Sequence, residues 1–183
     1  MKRSKQISFE DPRLKKIQAF GGTLLKNKKN RHARPLCTKR SIHLILKSSQ
    51  ATGEKSFKHY KNSKRVQELC FKLARRYGIK IYEYGNAGNH IHLLIKLSNR
   101  FTYFAFIRNL TGTMVKKIMG SQKLTKKFWD YRPFSRVVEW SKAYRIAKDY
   151  VLLNQLEGLG IIPYQPNRLR QFGPGGLQAF RMT

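Results

Sequence analysis

Two histidines stand one residue apart in His90-Ile91-His92. On a strand, residues i and i+2 leave by the same face, so both imidazoles aim at one point while Ile91, Leu93 and Ile95 aim at the other side. Two converging imidazoles are a start on a divalent-cation site, and a turn just before His90 puts the pair near a strand end that a substrate can reach. A bare His-apolar-His also occurs as two half-buried polar residues, and the spacing alone does not separate the two readings. Tyr150 and Asn154 lie four residues apart, one above the other on a helical face. Asn154 thereby offers an oxygen donor to a cation held by the two rings, and Tyr150 offers a phenol as nucleophile for a phosphate beside it. An ordinary amphipathic helix with Tyr150 at its core margin would carry the same two residues, and Tyr144 fits that plainer description too.

The rest of the inventory narrows the chemistry. Glu10, Asp11, Glu54, Glu68, Glu83, Asp130, Glu139, Asp149 and Glu157 are the only acids, and they are scattered. That argues against a two-metal nuclease caged by carboxylates. Neither a Walker-type phosphate loop nor a dinucleotide fingerprint occurs, so phosphoryl chemistry here runs without ATP. A tyrosine nucleophile suits that restriction: a phosphotyrosine ester keeps the energy of the broken phosphodiester and can be attacked by another hydroxyl to rejoin a strand. The phenol's ordinary pKa of ~10 is the obstacle, and a nearby cation in positive surroundings lowers it.

The surroundings are positive. The 183 residues hold 39 Lys and Arg against 9 Asp and Glu, a formal charge of +30, which suits a protein working beside a polyanion and not one that binds small neutral metabolites. At about 150 residues per domain, the length predicts one domain with arms or tails. Hydrophobic residues make up 40%, enough for a packed core. Cys37 and Cys70 match no metal-ligand spacing and are too few for a disulfide framework, which predicts buried thiols in a reducing compartment. The longest apolar stretch, Ile91 to Leu97, is broken by Lys96, far below the ~20 residues that span a bilayer. The basic Met1–Lys5 start is followed by no apolar signal region, so a cytoplasmic, nucleoid-associated location is expected, with no membrane partner.

Positioning the candidate groups requires a particular set of elements. Residues 1–35, with the run from Lys26 to Arg34, read as a basic N-terminal arm. Ile42–Lys47 reads as a strand, and the stripe Val66, Leu69, Cys70, Leu73, Ala74, Tyr77 as a helix closed by Gly78. Ile79–Tyr84 and His90–Lys96 make a hairpin around Gly85–Asn89. Phe104, Ile107, Thr111, Met114, Val115 and Ile118 give a second helix ending at Gly120. Phe134–Glu139 is a shorter strand, and Ser141 caps a third helix that runs to about Gly158. The order β-α-β-β-α-β-α predicts an α+β fold: a ferredoxin-like split βαβ antiparallel sheet with an added C-terminal helix covering its open face. Residues 161–183, with Pro163, Pro166, Pro174, Arg168 and Arg170, read as an irregular basic tail.

These residues resemble the single-tyrosine HUH transposases, which include insertion-sequence enzymes and REP-associated relatives. The resemblance runs over roughly 34–160 and rests on Gly88-Asn89-His90-Ile91-His92-Leu93-Leu94, on Phe128-Trp129, and on Asp149-Tyr150-Val151-Leu152-Leu153-Asn154. It implies a catalytic domain over 36–160, single-stranded or hairpin DNA as substrate, and a 5′-phosphotyrosine intermediate with a free 3′-OH. It also implies that His90 and His92 are metal ligands, that Tyr150 is the nucleophile, and that Asn154 completes the metal site. Many insertion-sequence members have Gln four residues after the tyrosine. Here that residue is Asn154 with Gln155 following, which makes Gln155 a second candidate ligand. Homodimers in which one chain's tyrosine helix completes the other's metal site belong to the same resemblance.

The reading at this point is a DNA strand transferase using Mg²⁺ or Mn²⁺, with Lys39, Arg40 and Arg136 as phosphate contacts because they flank predicted strands. Two alternatives stand beside it. One is a non-catalytic nucleic-acid-binding module that stacks bases on Tyr82 and Tyr84. The other is an HUH nickase of replication or conjugation, for which a second nucleophilic tyrosine would speak.

Overall fold

The computed structural model describes residues 20–21, 34–121 and 126–165. The remainder of the expected basic arm, and the expected tail from residue 166 with Arg168 and Arg170, lie outside the described residues. The strands are β1 (Phe20–Gly21), β2 (Ser41–Lys47), β3 (Ile79–Asn86), β4 (His90–Leu97) and β5 (Phe134–Val138), and the helices are α1 (Tyr60–Arg76), α2 (Arg100–Met119) and α3 (Lys142–Gly158). The strands pair antiparallel in the order β1-β5-β2-β4-β3. Without β1, this is the expected α+β ferredoxin-like sheet, followed by the added helix. β1 was not expected: inside the arm, Phe20 pairs with Arg136 and Gly21 with Ser135. Backbone pairing over two residues leaves no periodicity to read.

Alternation divides the sheet into two faces. Ile42, Leu44 and Leu46 of β2 and Ile91, Leu93, Ile95 and Leu97 of β4 are buried on one face, in a core shared with Val66, Leu69, Cys70 and Leu73 of α1 and Tyr103, Phe106, Leu110 and Met114 of α2. Each large side chain sealed there contributes about 1.5–3 kcal/mol over its exposed state. α1 ends where Gly78 takes a φ of +63°, a left-handed geometry that favours glycine. On the opposite face Ile45, Leu94, Phe134 and Val138 are buried, and α3 covers that face as expected.

A register shift in the pairing of β3 with β4, between Ile81 and Glu83, changes what the edge strand presents. Glu83 faces Leu94 on the α3 side, while Tyr84 pairs with Leu93 and is buried on the helix-layer side. Tyr84 is therefore a core residue and not an exposed stacking surface. Tyr82 packs edge-on against Trp140 and Tyr144. Cys70 is buried, which pushes its thiol up to about 12, whereas Cys37 is only half-buried and departs from expectation.

Candidate active site

His90 opens β4 directly after a tight turn. The Ala87 N–H donates to the His90 carbonyl (3.0 Å), Gly88 has a φ of +92°, and its N–H donates to Asn86 Oδ1 (3.0 Å). The turn is also held from outside. Phe57 N–H donates to the Gly88 carbonyl (2.8 Å), Asn86 Nδ2 donates to the Phe57 carbonyl (2.9 Å), and Ser48 N–H donates to the Asn89 carbonyl (2.9 Å). Phe57 in turn stacks on Trp129, with ring centroids 5.7 Å apart, and meets Phe128 edge-on. The Phe128-Trp129 pair thus seats the loop that fixes the histidine hairpin.

α3 is fastened along β3. Gln155 Oε1 accepts from the Asn86 N–H at 2.6 Å, so this side chain is bound to the hairpin's backbone. A Cβ on Gly85 would lie 2.6 Å from the Val151 carbonyl oxygen, and one on Gly158 would overlap the Asn86 carbonyl. Helix and strand therefore approach backbone to backbone at two points. Trp140, Tyr144 and Tyr82 pack together at the other end of the helix, where Trp140 Nε1 donates to the Lys39 carbonyl (2.8 Å). Ser141 occupies the N-cap position, but its φ is +81° and its side chain makes no capping bond.

This seating brings the expected residues together within one chain. The ring of Tyr150 meets that of His92 edge-on at 5.4 Å, and the rings of His90 and His92 are 4.7 Å apart. Asn154 Nδ2 donates to the Tyr150 carbonyl (2.7 Å), and His90 Nδ1 lies 2.6 Å from Asn89 Oδ1. His92, Tyr150 and Asn154 are buried and His90 is half-buried, so His90 marks the opening of the site. Burial, with the positive charge of Lys47 beside it, lowers the His90 pKa to about 4 against the opposing pull of Asn154. Burial first, then the neighbouring histidines, holds His92 well below the ordinary imidazole value.

Two residues of the site went unread in the sequence. His43, on the central strand β2, places its Nε2 3.0 Å from His92 Nδ1 and its ring 5.8 Å from that of Tyr150. Burial, with Arg136 across the strand pair, lowers its pKa to about 3. The available signal was a histidine inside the otherwise apolar run Ile42–Leu46, since a buried polar residue on a central strand needs a partner. Lys47 is the other, directly across from His90 in the register.

The three expected basic contacts separate in space. Arg136 is half-buried opposite His43. Lys39 and Arg40 precede β2, beyond the end of that strand opposite Lys47, which a strand spanning about 20 Å at ~3.3 Å per residue separates from them. Arg40 pairs there with Glu139 at 2.9 Å.

Among the described residues, no three His, Cys, Asp or Glu side chains group to hold a metal ion. Two imidazoles and a carboxamide are a different donor set, and the side chains present fit one. His92 Nε2 is buried with no hydrogen-bond partner, and the Asn154 nitrogen is engaged by the helix carbonyl, which leaves its oxygen as the lone-pair end. A borderline divalent cation takes this mixture of nitrogen and oxygen donors.

The profile of the family described as IS200-like transposases matches residues 38–151, a span with His90, His92 and Tyr150 inside it and Asn154 just beyond. No curated protein matches the chain. Among solved structures, the REP-associated tyrosine transposase bound to a REP hairpin is similar in fold, with a TM-score of 0.55 at 14% identity over 80% of this chain and 89% of that one. A chain from Deinococcus radiodurans R1, provisionally described as a transposase, aligns over 70% of this chain and 97% of its own at 16% identity and a TM-score of 0.40. With the family profile covering more than half of its length, this chain belongs to the IS200-like transposases.

Proposed function

We propose that the chain cuts and rejoins single-stranded DNA, hairpin-forming strands included, with Tyr150 as nucleophile and with Mg²⁺ or Mn²⁺ held by His90, His92 and Asn154. The observation that carries this reading is the meeting of a helix tyrosine with a hairpin histidine, ring to ring at 5.4 Å. Family membership supports DNA as the substrate class, and the similar structure bound to a REP hairpin supports a folded strand.

Tyr150 Oη gives up its proton and attacks the scissile phosphorus. The new O–P bond forms as the P–O3′ bond breaks, and the departing 3′ oxygen keeps the electron pair and takes up a proton. A free 3′-OH and a 5′-phosphotyrosine result. Attack by the 3′-OH of another strand reverses the step and restores the phenol. A bound cation supplies Lewis-acid polarisation of the phosphate and favours the phenolate. Two imidazole donors tilt affinity toward Mn²⁺ over Mg²⁺. Tyr150 is only 7% exposed, which shields the ester from water between the two transfers. Arg136 adds positive charge beside the site, and Lys39 and Arg40 hold the strand farther along the sheet. One chain supplies both hairpin and helix, so a homodimer would carry two such sites.

The test is incubation with single-stranded DNA and a divalent cation, followed by a search for a covalent adduct. Wild type is expected to form it and Tyr150→Phe to lose it, with DNA binding retained. An adduct persisting in Tyr150→Phe would sink the assignment. No adduct from wild type with either cation would leave a binding module only.

A further inference from the structure

His43 and His92 are diagonal neighbours on one face of the sheet, since His43 pairs with Leu94 and Ile45 with His92. Their rings are 20° from parallel with centroids 5.2 Å apart, and both are buried. With Nε2 of one 3.0 Å from Nδ1 of the other, one nitrogen must carry a hydrogen and the other a lone pair. If His43 donates, a neutral His92 keeps its hydrogen on Nε2, an atom with no acceptor, and a buried donor is left unsatisfied. If His92 donates through Nδ1, its Nε2 is a bare lone pair, the form in which imidazole ligates a metal.

We propose that His43 is a positioning residue of the metal site: it accepts a hydrogen bond from His92 Nδ1 and so fixes the tautomer and ring orientation that present the His92 Nε2 lone pair. The inference rests on His90, His92 and Asn154 being the metal donors. His43 touches neither substrate nor cation in this role. Its hold on His92 comes from the strand register, which no rotation of a loop can alter.

The test uses the whole chain and two readouts other than activity. Long-range ¹H–¹⁵N spectra of histidine-labelled wild type report the tautomer, and the His92 proton is expected on Nδ1. Mn²⁺ titration followed by electron paramagnetic resonance reports affinity. His43→Phe keeps the ring's bulk without an acceptor and is expected to weaken Mn²⁺ binding by about 10–100-fold. His43→Gln places an amide oxygen at similar reach and is expected to recover most of the loss. An Nε2–H tautomer of His92 in wild type overturns the proposal without any variant having to fold. So does a His43→Phe that binds Mn²⁺ like wild type, or a His43→Gln as weak as His43→Phe. Failure of the underlying metal assignment looks different: His90→Ala would bind Mn²⁺ as tightly as wild type while His92 kept its proton on Nδ1, and the metal role of His43 would fall with it.

Discussion

His90 and His92 share a strand face but not an environment, for one is half-buried at the opening and the other is sealed against His43 and Tyr150. The lowered pKa values of His43 (about 3) and His90 (about 4) tie stability to pH. An unfolded histidine takes its proton near 6.5, while the folded ones resist until the pH is far lower, so acid favours the unfolded chain. Stability of the metal-free protein is expected to be level above about pH 6.5 and to fall, by on the order of a few kcal/mol, as the pH drops toward 4. Urea midpoints across that range check this, and a flat profile would contradict the buried neutral pair. At this scale the sequence paired candidate residues by spacing within one element. His90 with His92 and Tyr150 with Asn154 follow from a strand period and a helix period. His43 does not, because its partner is 49 positions away and the two meet only through the pairing of β2 with β4.

The seat of α3 is the feature on which the geometry of Tyr150 depends. Gly158→Ala would drive a methyl into the Asn86 carbonyl and lift the helix, and a misplacement of about 1 Å costs on the order of 10²-fold in rate. Adduct formation by Gly158→Ala is expected to fall by about that much, with single-stranded DNA binding little changed. Gly112 in α2 is the contrasting case, since nothing lies within 4 Å of a Cβ there. Gly112→Ala is expected to stabilise the protein by about 0.5–1 kcal/mol through helix propensity, measured by denaturant unfolding, and to leave the adduct rate unchanged. Element order and most boundaries were legible because short runs of β-branched and aliphatic residues, bounded by turns, alternate with longer helical stretches closed by Gly78 and Gly120. The shift between Ile81 and Glu83 was not, since one extra residue in an edge strand changes facing without changing composition, and Tyr84 went to the core as a result.

At the scale of the whole molecule, the +30 charge suits capture of DNA, while the proposed chemistry is assigned to a small buried cluster. Binding of single-stranded DNA is expected to weaken steeply with salt, by a slope of about −0.7 per phosphate neutralised in a plot of log K against log salt. Tyr150→Phe should keep the wild-type slope, and Arg136→Ala should lower its magnitude by about 0.7 while also slowing adduct formation. A Tyr150→Phe slope shallower than wild type would mean that capture and chemistry share their groups. No helix among the described residues is long and apolar enough to cross a membrane. The two residues of β1 give the sheet one more property. They cover the outer hydrogen-bonding rim of β5, on the flank away from α3's seat on β3. Trimming the chain back past Gly21 would bare that rim, an adhesive surface for the same rim of another molecule, and the shortened protein should self-associate with rising concentration in sedimentation experiments.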